Sequence, residues 1–278
     1  MPTLYLVSTP IGNLEDITLR ALRVLREVSL IAAEDTRRTR QLLRHYDIAT
    51  PLLSFHEHNK AERIPRLLRA LAQGDVALVS DAGTPLVNDP GYELVVAAIE
   101  AGFPVVPVPG PSAPLAALVA SGLPTDAFLY LGYLPRKAGE RRRRLEQVAG
   151  LPYTLLFLET PQRLRAALRD LGAVLGPHRR IAIARELTKV HEEIWRGTLE
   201  QAVAHFQQHE PRGEFTLVVA GAPSEVREWN EGELDEAIAH GLAQGVPPSR
   251  LARELAGLSG KPRRWIYRRI LERAQRET

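Results

Sequence analysis

Two stretches of this chain combine acids, hydroxyls and glycines in a pattern suited to holding a small molecule. In the first, an apolar run over residues 76–79 ends in Ser80-Asp-Ala-Gly-Thr-Pro85, and Asp89-Pro-Gly91 opens an amphipathic segment. In the second, the run 105–108 ends in Pro109-Gly-Pro-Ser-Ala113 and leads into a helical segment over 114–121. Each reads as a buried strand, a loop at its carboxyl end and a helix, and in open α/β sheets ligands collect at the carboxyl ends of strands. Asp81 can accept hydrogen bonds from amine or hydroxyl groups, with Gly83, Thr84 and Val87 beside it. The backbone N–H groups of Ser112 and Ala113, at a helix start, can meet a carboxylate. Asp81 read alone serves equally well as the cap of a tight turn. Two such loops on neighbouring strands favour a binding cleft.

Proton chemistry needs acids and bases at the same edge. Glu34, Asp35 and Arg37 follow the run 30–33, and His56, His58 and Asn59 follow the run 52–55. Glu159 and Arg163 follow 154–158; Arg185, Glu186 and Lys189 follow 181–184. Each acid–base pair also fits a structural ion pair, and Glu34-Asp35 also fits helix capping. His56 and His58 alternate, so extended backbone turns them to opposite sides; a metal site at this pair is disfavoured. With no Cys there is no thiol nucleophile and no Cys-ligated metal. The chain lacks G-x-G-x-x-G after its first strand and lacks a Walker A motif, which argues against a nicotinamide dehydrogenase, an ordinary nucleotide triphosphatase or a common Rossmann methyltransferase.

The elements that carry these residues alternate. Strands are expected at 3–7, 30–33, 52–55, 76–79 and 105–108, with helices between them; Asp16 is the expected cap of the first helix and Thr36 of the second. Continuous apolar strands alternating with helices argue a parallel sheet covered on both faces. Gly122-Leu-Pro-Thr125 reads as a hinge to a second domain with a mixed sheet, over 123–224. From 225 to 278 the pattern is short helices around a turn at 257–260, resembling a helix-turn-helix unit.

At 278 residues with 45% hydrophobic content, the chain can bury a large core without disulfides. No apolar run approaches the roughly 20 residues of a membrane span, and the N-terminus enters a strand-like run with no signal peptide, so a cytoplasmic protein is expected. The net charge of +3 hides clusters at 37–40, 136–144 and 261–276, nearly all arginine. Codon bias explains much of that arginine. The density over 261–276 repels itself without a polyanion partner, and favours phosphate contact; the run Arg141–Arg144 is a weaker candidate for the same role.

Seven motifs occur in order: Ser8-Thr-Pro-Ile-Gly-Asn-Leu-Glu-Asp-Ile-Thr18, Ala33-Glu-Asp-Thr-Arg37, Ser54-Phe-His-Glu-His-Asn59, Ser80-Asp-Ala-Gly-Thr-Pro85, Asp89-Pro-Gly91, Pro109-Gly-Pro-Ser-Ala113 and Arg185-Glu-Leu-Thr-Lys189. Together, over residues 3–223, they resemble the ribosomal RNA small subunit methyltransferase I family of tetrapyrrole-methylase-like (class III) S-adenosylmethionine-dependent enzymes. The resemblance implies two α/β domains of the tetrapyrrole methylase type, S-adenosylmethionine in the interdomain cleft, a small C-terminal helical domain and a homodimer. It implies 2′-O-methylation of a cytidine ribose in small-subunit (16S) ribosomal RNA, free or in the 30S subunit. Carried over by motif, Pro10, Asp81, Gly83, Thr84, Val87, Ser112 and Ala113 line the cofactor from the first domain, and Leu158 from the second. Thr160-Pro-Gln-Arg163 stands where Ser-Pro-His-Arg is more usual in the family, so the histidine's role has no counterpart.

Methyl transfer from a sulfonium to a ribose oxygen is an in-line displacement that needs no metal. The hydroxyl must lose its proton, so a base or a cation is required. Lys189 is the residue expected to lower the hydroxyl's pKa, with Glu186 orienting it; Glu34 and Arg37 are the other catalytic candidates. His56, Asn59, Arg163, Arg185, Arg264 and Arg268 are the candidates for contact with RNA. Two other readings compete: a tetrapyrrole or small-molecule C-methyltransferase of the same fold, and a non-catalytic ribosome-binding protein.

Overall fold

The computed structural model describes residues 1–223 and 229–276. The chain forms two compact units, Met1–Ala222 and Pro223–Thr278. The boundary expected at 224 and 225 lies outside the described residues.

The first unit begins with β1 (Leu4–Val7), α1 (Leu19–Glu27), β2 (Leu30–Ala33), α2 (Thr36–His45), β3 (Leu52–Ser54), α3 (Lys60–Leu71), β4 (Val76–Val79), α4 (Tyr92–Glu100) and β5 (Val105–Val108). Its five strands pair in parallel in the order β3-β2-β4-β1-β5. Apolar clusters cover both faces, Val24, Leu25 and Ile31 in one and Leu67, Leu71 and Leu94 in the other. That is why β4, Val-Ala-Leu-Val, has no polar position and is buried throughout. Because the strands are parallel, the loops after β1, β2, β4 and β5 emerge at one edge.

After β5, α5 (Ala113–Ser121) leads to β6 (Phe128–Tyr133), α6 (Ala138–Glu146), β7 (Thr154–Glu159), α7 (Pro161–Leu175), β8 (Arg180–Arg185), β9 (Glu193–Thr198), α8 (Leu199–Gln208) and β10 (Phe215–Val219). The second sheet runs β6-β7-β10-β8-β9 and is mixed: β6 and β7 are parallel, the other pairs antiparallel. Helix α5 lays Ala117 and Leu118 against Leu156, Ala182 and Val218 of this sheet. The loop after β5 is therefore anchored to both sheets.

The second unit is α9 (Glu231–Ala243), α10 (Pro248–Ser259) and α11 (Arg263–Arg276), around Leu234, Ile238, Leu251, Leu255, Ile266 and Ile270. At Gly241 a Cβ would lie 2.4 Å from a Leu251 methyl, so a glycine lets α9 and α10 pack this closely.

Three local expectations are corrected. Thr18, not Asp16, caps α1, its hydroxyl accepting from Ala21 N at 3.1 Å; Asp16 ends a short 3₁₀ turn. Asp35, not Thr36, caps α2, accepting from Arg37 N at 2.8 Å, as a carboxylate does well beside a helix N-terminus. The turn expected at 257–260 is narrower: α10 continues through Gly257 to Ser259, whose hydroxyl donates to Leu255 O, and only Gly260, at φ 65, turns the chain. Burial of Leu255 outweighs the ~1 kcal/mol that a mid-helix glycine costs.

Candidate active site

The loops after β1, β4 and β5 are tied into one body. Thr9 and Gly83 exchange backbone bonds at 2.9 Å each, Ser8 Oγ donates to Thr84 Oγ1 at 3.3 Å, and Thr84 Oγ1 donates to Pro111 O at 3.3 Å. The β4 loop is strained: Gly83, Leu86, Asn88 and Gly91 all have positive φ, which glycine and asparagine accept readily but which is costly for Leu86 (71°). Such strain persists only where the surroundings hold it, and it concentrates at functional sites.

This body forms one wall of a cleft of about 290 Å³, at the lower end of the range for small-molecule sites. Asp81, Gly83, Thr84, Val87, Ser112 and Ala113 line it from the first sheet, and Leu158 from the end of β7. Asn88 reaches across, accepting a 2.5 Å bond from Tyr130 on β6, and Gly132, at φ 62, leaves room for its amide where a Cβ would come within 2.6 Å. Ser112 begins α5 without a side-chain cap, so that N-terminus keeps unpaired N–H groups.

The cleft is acidic in a chain that is basic overall. Glu34, Asp81 and Asp89 line it together. Burial, then repulsion from Asp89 and Asp81, raises the Glu34 carboxyl above its ordinary pKa; burial and Asp81 raise Asp89. Arg38, 3.4 Å from Asp81, provides a cation at this end. Burial pushes the Tyr130 phenol up to about 12 and raises Tyr133, so both stay neutral.

Lys189 stands near the cleft but not on its lining. Its Nζ donates to Glu186 Oε1 at 2.9 Å and to Glu214 Oε2 at 3.0 Å, and Glu214 does line the cleft. Desolvation opposes the lysine's charge, but pairing with Glu186 and Glu214 outweighs it and raises its pKa. The bond from Lys189 holds Glu186 below the usual carboxylate range.

Other residues named from the sequence fall elsewhere. Pro10 lines a neighbouring cavity of about 180 Å³ that shares Arg38 and Asp81 with the cleft. Arg37 is exposed and paired with Asp35 at 2.8 Å. Asn59 closes a local turn, accepting from His56 N and donating to Ser54 O. Arg163 donates to Leu134 O and sits 3.3 Å from Glu159, while Arg185 sits 3.3 Å from Glu193. Arg264 and Arg268 are exposed on α11, but Arg269 turns inward to Asp235 and Glu231. The Arg276 side chain lies outside the described residues. Sequence reasoning missed Arg38, Asn88, Tyr130, Tyr133 and Glu214 in the site. Arg38 carried a signal, since the α2 register sets it apart from Arg37; Glu214 and the tyrosines meet the cleft through tertiary packing alone.

The family model for Tetrapyrrole (Corrin/Porphyrin) Methylases matches residues 3–203. A ribosomal RNA small subunit methyltransferase I from Synechocystis sp. is 48% identical over 274 residues, covering 98% of each chain. One from Mesorhizobium japonicum is 50% identical over 273 residues, covering 98% of this chain and 92% of its own. The chain belongs to this methyltransferase I family of the tetrapyrrole methylases. It is a methyltransferase, and S-adenosylmethionine is the family's methyl donor. Among solved structures, a Thermus thermophilus uroporphyrin-III C-methyltransferase complexed with S-adenosyl homocysteine superposes with a TM-score of 0.56 at 25% identity, covering 78% of this methyltransferase and 96% of that chain. A diphthine synthase superposes at 0.60 with 15% identity, covering 79% and 90%, a likeness of fold alone. Among the described residues no helix is long and apolar enough to cross a membrane.

Proposed function

We propose that this methyltransferase transfers a methyl group to the 2′ oxygen of a cytidine ribose in small-subunit ribosomal RNA, in the cytoplasm. The observation that carries this reading is the acid-lined cleft at the tied loops, with a fixed ammonium, Lys189, beside it. The names of the full-length relatives supply the RNA; a tetrapyrrole is a polyanion too, so arginine alone does not separate the two, and it is the basic C-terminal helices that favour RNA phosphates.

The cleft fits S-adenosylmethionine on its own chemistry. That molecule carries positive charge at a sulfonium and an ammonium, and Glu34, Asp81 and Asp89 face one another there with too little counter-charge. Its carboxylate matches the uncapped N-terminus of α5 at Ser112 and Ala113. Asp81, Gly83, Thr84, Val87 and Leu158 would form the walls. Pro10 acts through the loop it shares with Thr9, which is bonded to Gly83.

When bound, the donor supplies a methyl group already activated on a sulfonium. The chain's residues do the rest. The tied loops fix the angle of attack, and such alignment is worth on the order of 7–11 kcal/mol. As the new C–O bond forms and the S–C bond breaks, the hydroxyl proton passes to a carboxylate. Glu34, a stronger base than an ordinary carboxylate because it is buried among acids, is the acceptor, worth about 10²–10⁴ in rate. Lys189, held charged, stabilises the developing oxygen charge, and Glu186 orients it. Arg37, paired with its own helix cap, is left out.

His56, Asn59, Arg163, Arg185, Arg264 and Arg268 are proposed for the RNA, with Arg264 and Arg268 foremost because they are exposed. Exposed apolar residues on α4 (Tyr92, Ile99) and α5 (Leu115, Val119) support a homodimer. The test is incubation with labelled S-adenosylmethionine and small subunits lacking the modification, followed by mapping of the label. Label on the ribose of one cytidine supports the reading; label on a base, or none, overturns it.

A further inference from the structure

Glu214 was not a residue the sequence singled out, yet it joins the cleft to Lys189. Two carboxylates hold the lysine, and they differ. The Glu186 side chain is 20% exposed, and its Oε1 also accepts Glu214 N at 2.9 Å. Glu186 N in turn donates to Glu214 O at 3.0 Å. The Glu214 carboxylate is 77% exposed and lines the cleft. The loop between α8 and β10 comes this close only because residue 213 is glycine: its φ is +84, and a Cβ would lie 2.5 Å from Glu186 Cγ. On the other side Gly12, from the β1 loop, presses on the lysine stem, and a Cβ there would lie 2.4 Å from Lys189 Cγ. The charged groups facing the ammonium are Glu186 and Glu214, with Arg185 acting on Glu186 from behind; Gly12 brings no charge.

We infer that Glu214 positions Lys189 for the transfer, as the exchangeable arm of a clamp whose fixed arm is Glu186. This rests on the proposed role of Lys189. A solvent-exposed ion pair holds weakly, whereas a partly buried one with added backbone bonds holds firmly. When the ribose oxygen arrives, Glu214 gives way first. Lys189 keeps Glu186 and turns the freed N–H to the oxygen as negative charge develops, where a preorganised donor has its largest effect.

Steady-state kinetics of the full chain, with S-adenosylmethionine and unmodified small subunits, test this with Glu214→Gln, Glu214→Asp, Lys189→Ala and the double variant Lys189→Ala/Glu214→Gln, each checked by thermal melting. Glu214→Gln should lower kcat on the order of 10-fold, less than the roughly 10² that a 1 Å misplacement can cost, and leave KM for S-adenosylmethionine unchanged. Its kcat–pH profile should lose activity at lower alkaline pH, because a lysine with one anionic partner gives up its proton sooner. Glu214→Asp should recover most of the rate, and Glu214→Gln should cost nothing further once Lys189 is alanine. Wild-type kcat and an unmoved alkaline limb in Glu214→Gln, while Lys189→Ala is slowed but still measurable, would overturn the positioning role alone. An equal loss from Glu214→Gln in both backgrounds would overturn it too, since Glu214 would then act independently. Near-wild-type turnover of Lys189→Ala would overturn the underlying reading of the lysine.

Discussion

Helices α6 and α11 are both rich in arginine, and they use it in opposite ways. In α6, Arg141 is buried, its Nε 2.7 Å from Asp170 Oδ2, with further bonds to Pro135 O and Arg136 O; Arg142 reaches the same carboxylate at 2.8 Å. In α11, Arg264 and Arg268 are exposed, whereas Arg269 is drawn inward to Asp235 and Glu231, and Arg273 donates to Asp235 O at 3.3 Å. A basic run in a sequence is therefore two signals superposed. One part neutralises a buried acid and ties down the loop before its helix; the other is available to a polyanion. The run 141–144 carried an expectation of RNA contact, and at Arg141 that expectation is corrected: the side chain is 7% exposed and fully paired.

The comparison breaks most sharply at Arg141. Arg141→Ala leaves Asp170 buried with a single, mostly exposed partner, and removing one member of a buried pair costs about 3–5 kcal/mol. Denaturant unfolding should show that loss; a loss under ~1 kcal/mol would make α6 a surface helix like any other. The double reversal Arg264→Glu/Arg268→Glu should leave unfolding nearly unchanged. It should weaken RNA binding by about 10- to 100-fold and flatten the log K against log salt slope by roughly 0.7 for each phosphate left without its arginine, the single-strand value. An unchanged slope would remove α11 from the interface.

The pH dependence follows from the same contrast. The Arg142 and Arg141 bonds outweigh desolvation and hold Asp170 below its ordinary pKa. A depressed folded pKa means stability fully present above the unfolded value, about 3.9, and lost as pH falls through the lower folded value. Acid unfolding of the wild type should show this dependence, and Asp170→Asn should flatten it. The smallest effect belongs to Arg142→Ala: its side chain is 58% exposed, so the cost should stay under about 1 kcal/mol.

Much of this molecule was legible because burial leaves a plain mark. The strands at 30–33, 76–79 and 105–108 are apolar runs with the bounds seen in the fold, and the cleft residues Asp81, Gly83, Thr84, Val87, Ser112 and Ala113 sit in loops whose glycines and prolines announced them. What escaped depends on contacts between distant segments. Asp16 and Thr36 are reasonable caps by type, but the chain chose Thr18 and Asp35, one or two positions away. Nothing local in Tyr130 or Asn88 says that they bond across 42 residues. Glu214 reaches Lys189 only because Gly213 permits the approach.

The central claim is that a cationic methyl donor sits in the acid-lined cleft at the tied loops. A structure of the chain with S-adenosyl homocysteine tests it most directly. The account predicts the ligand between Asp81 and Leu158, its carboxylate at the Ser112–Ala113 N–H groups. A ligand lodged away from those loops, in the cavity beside Pro10 or on the α11 surface, would contradict it.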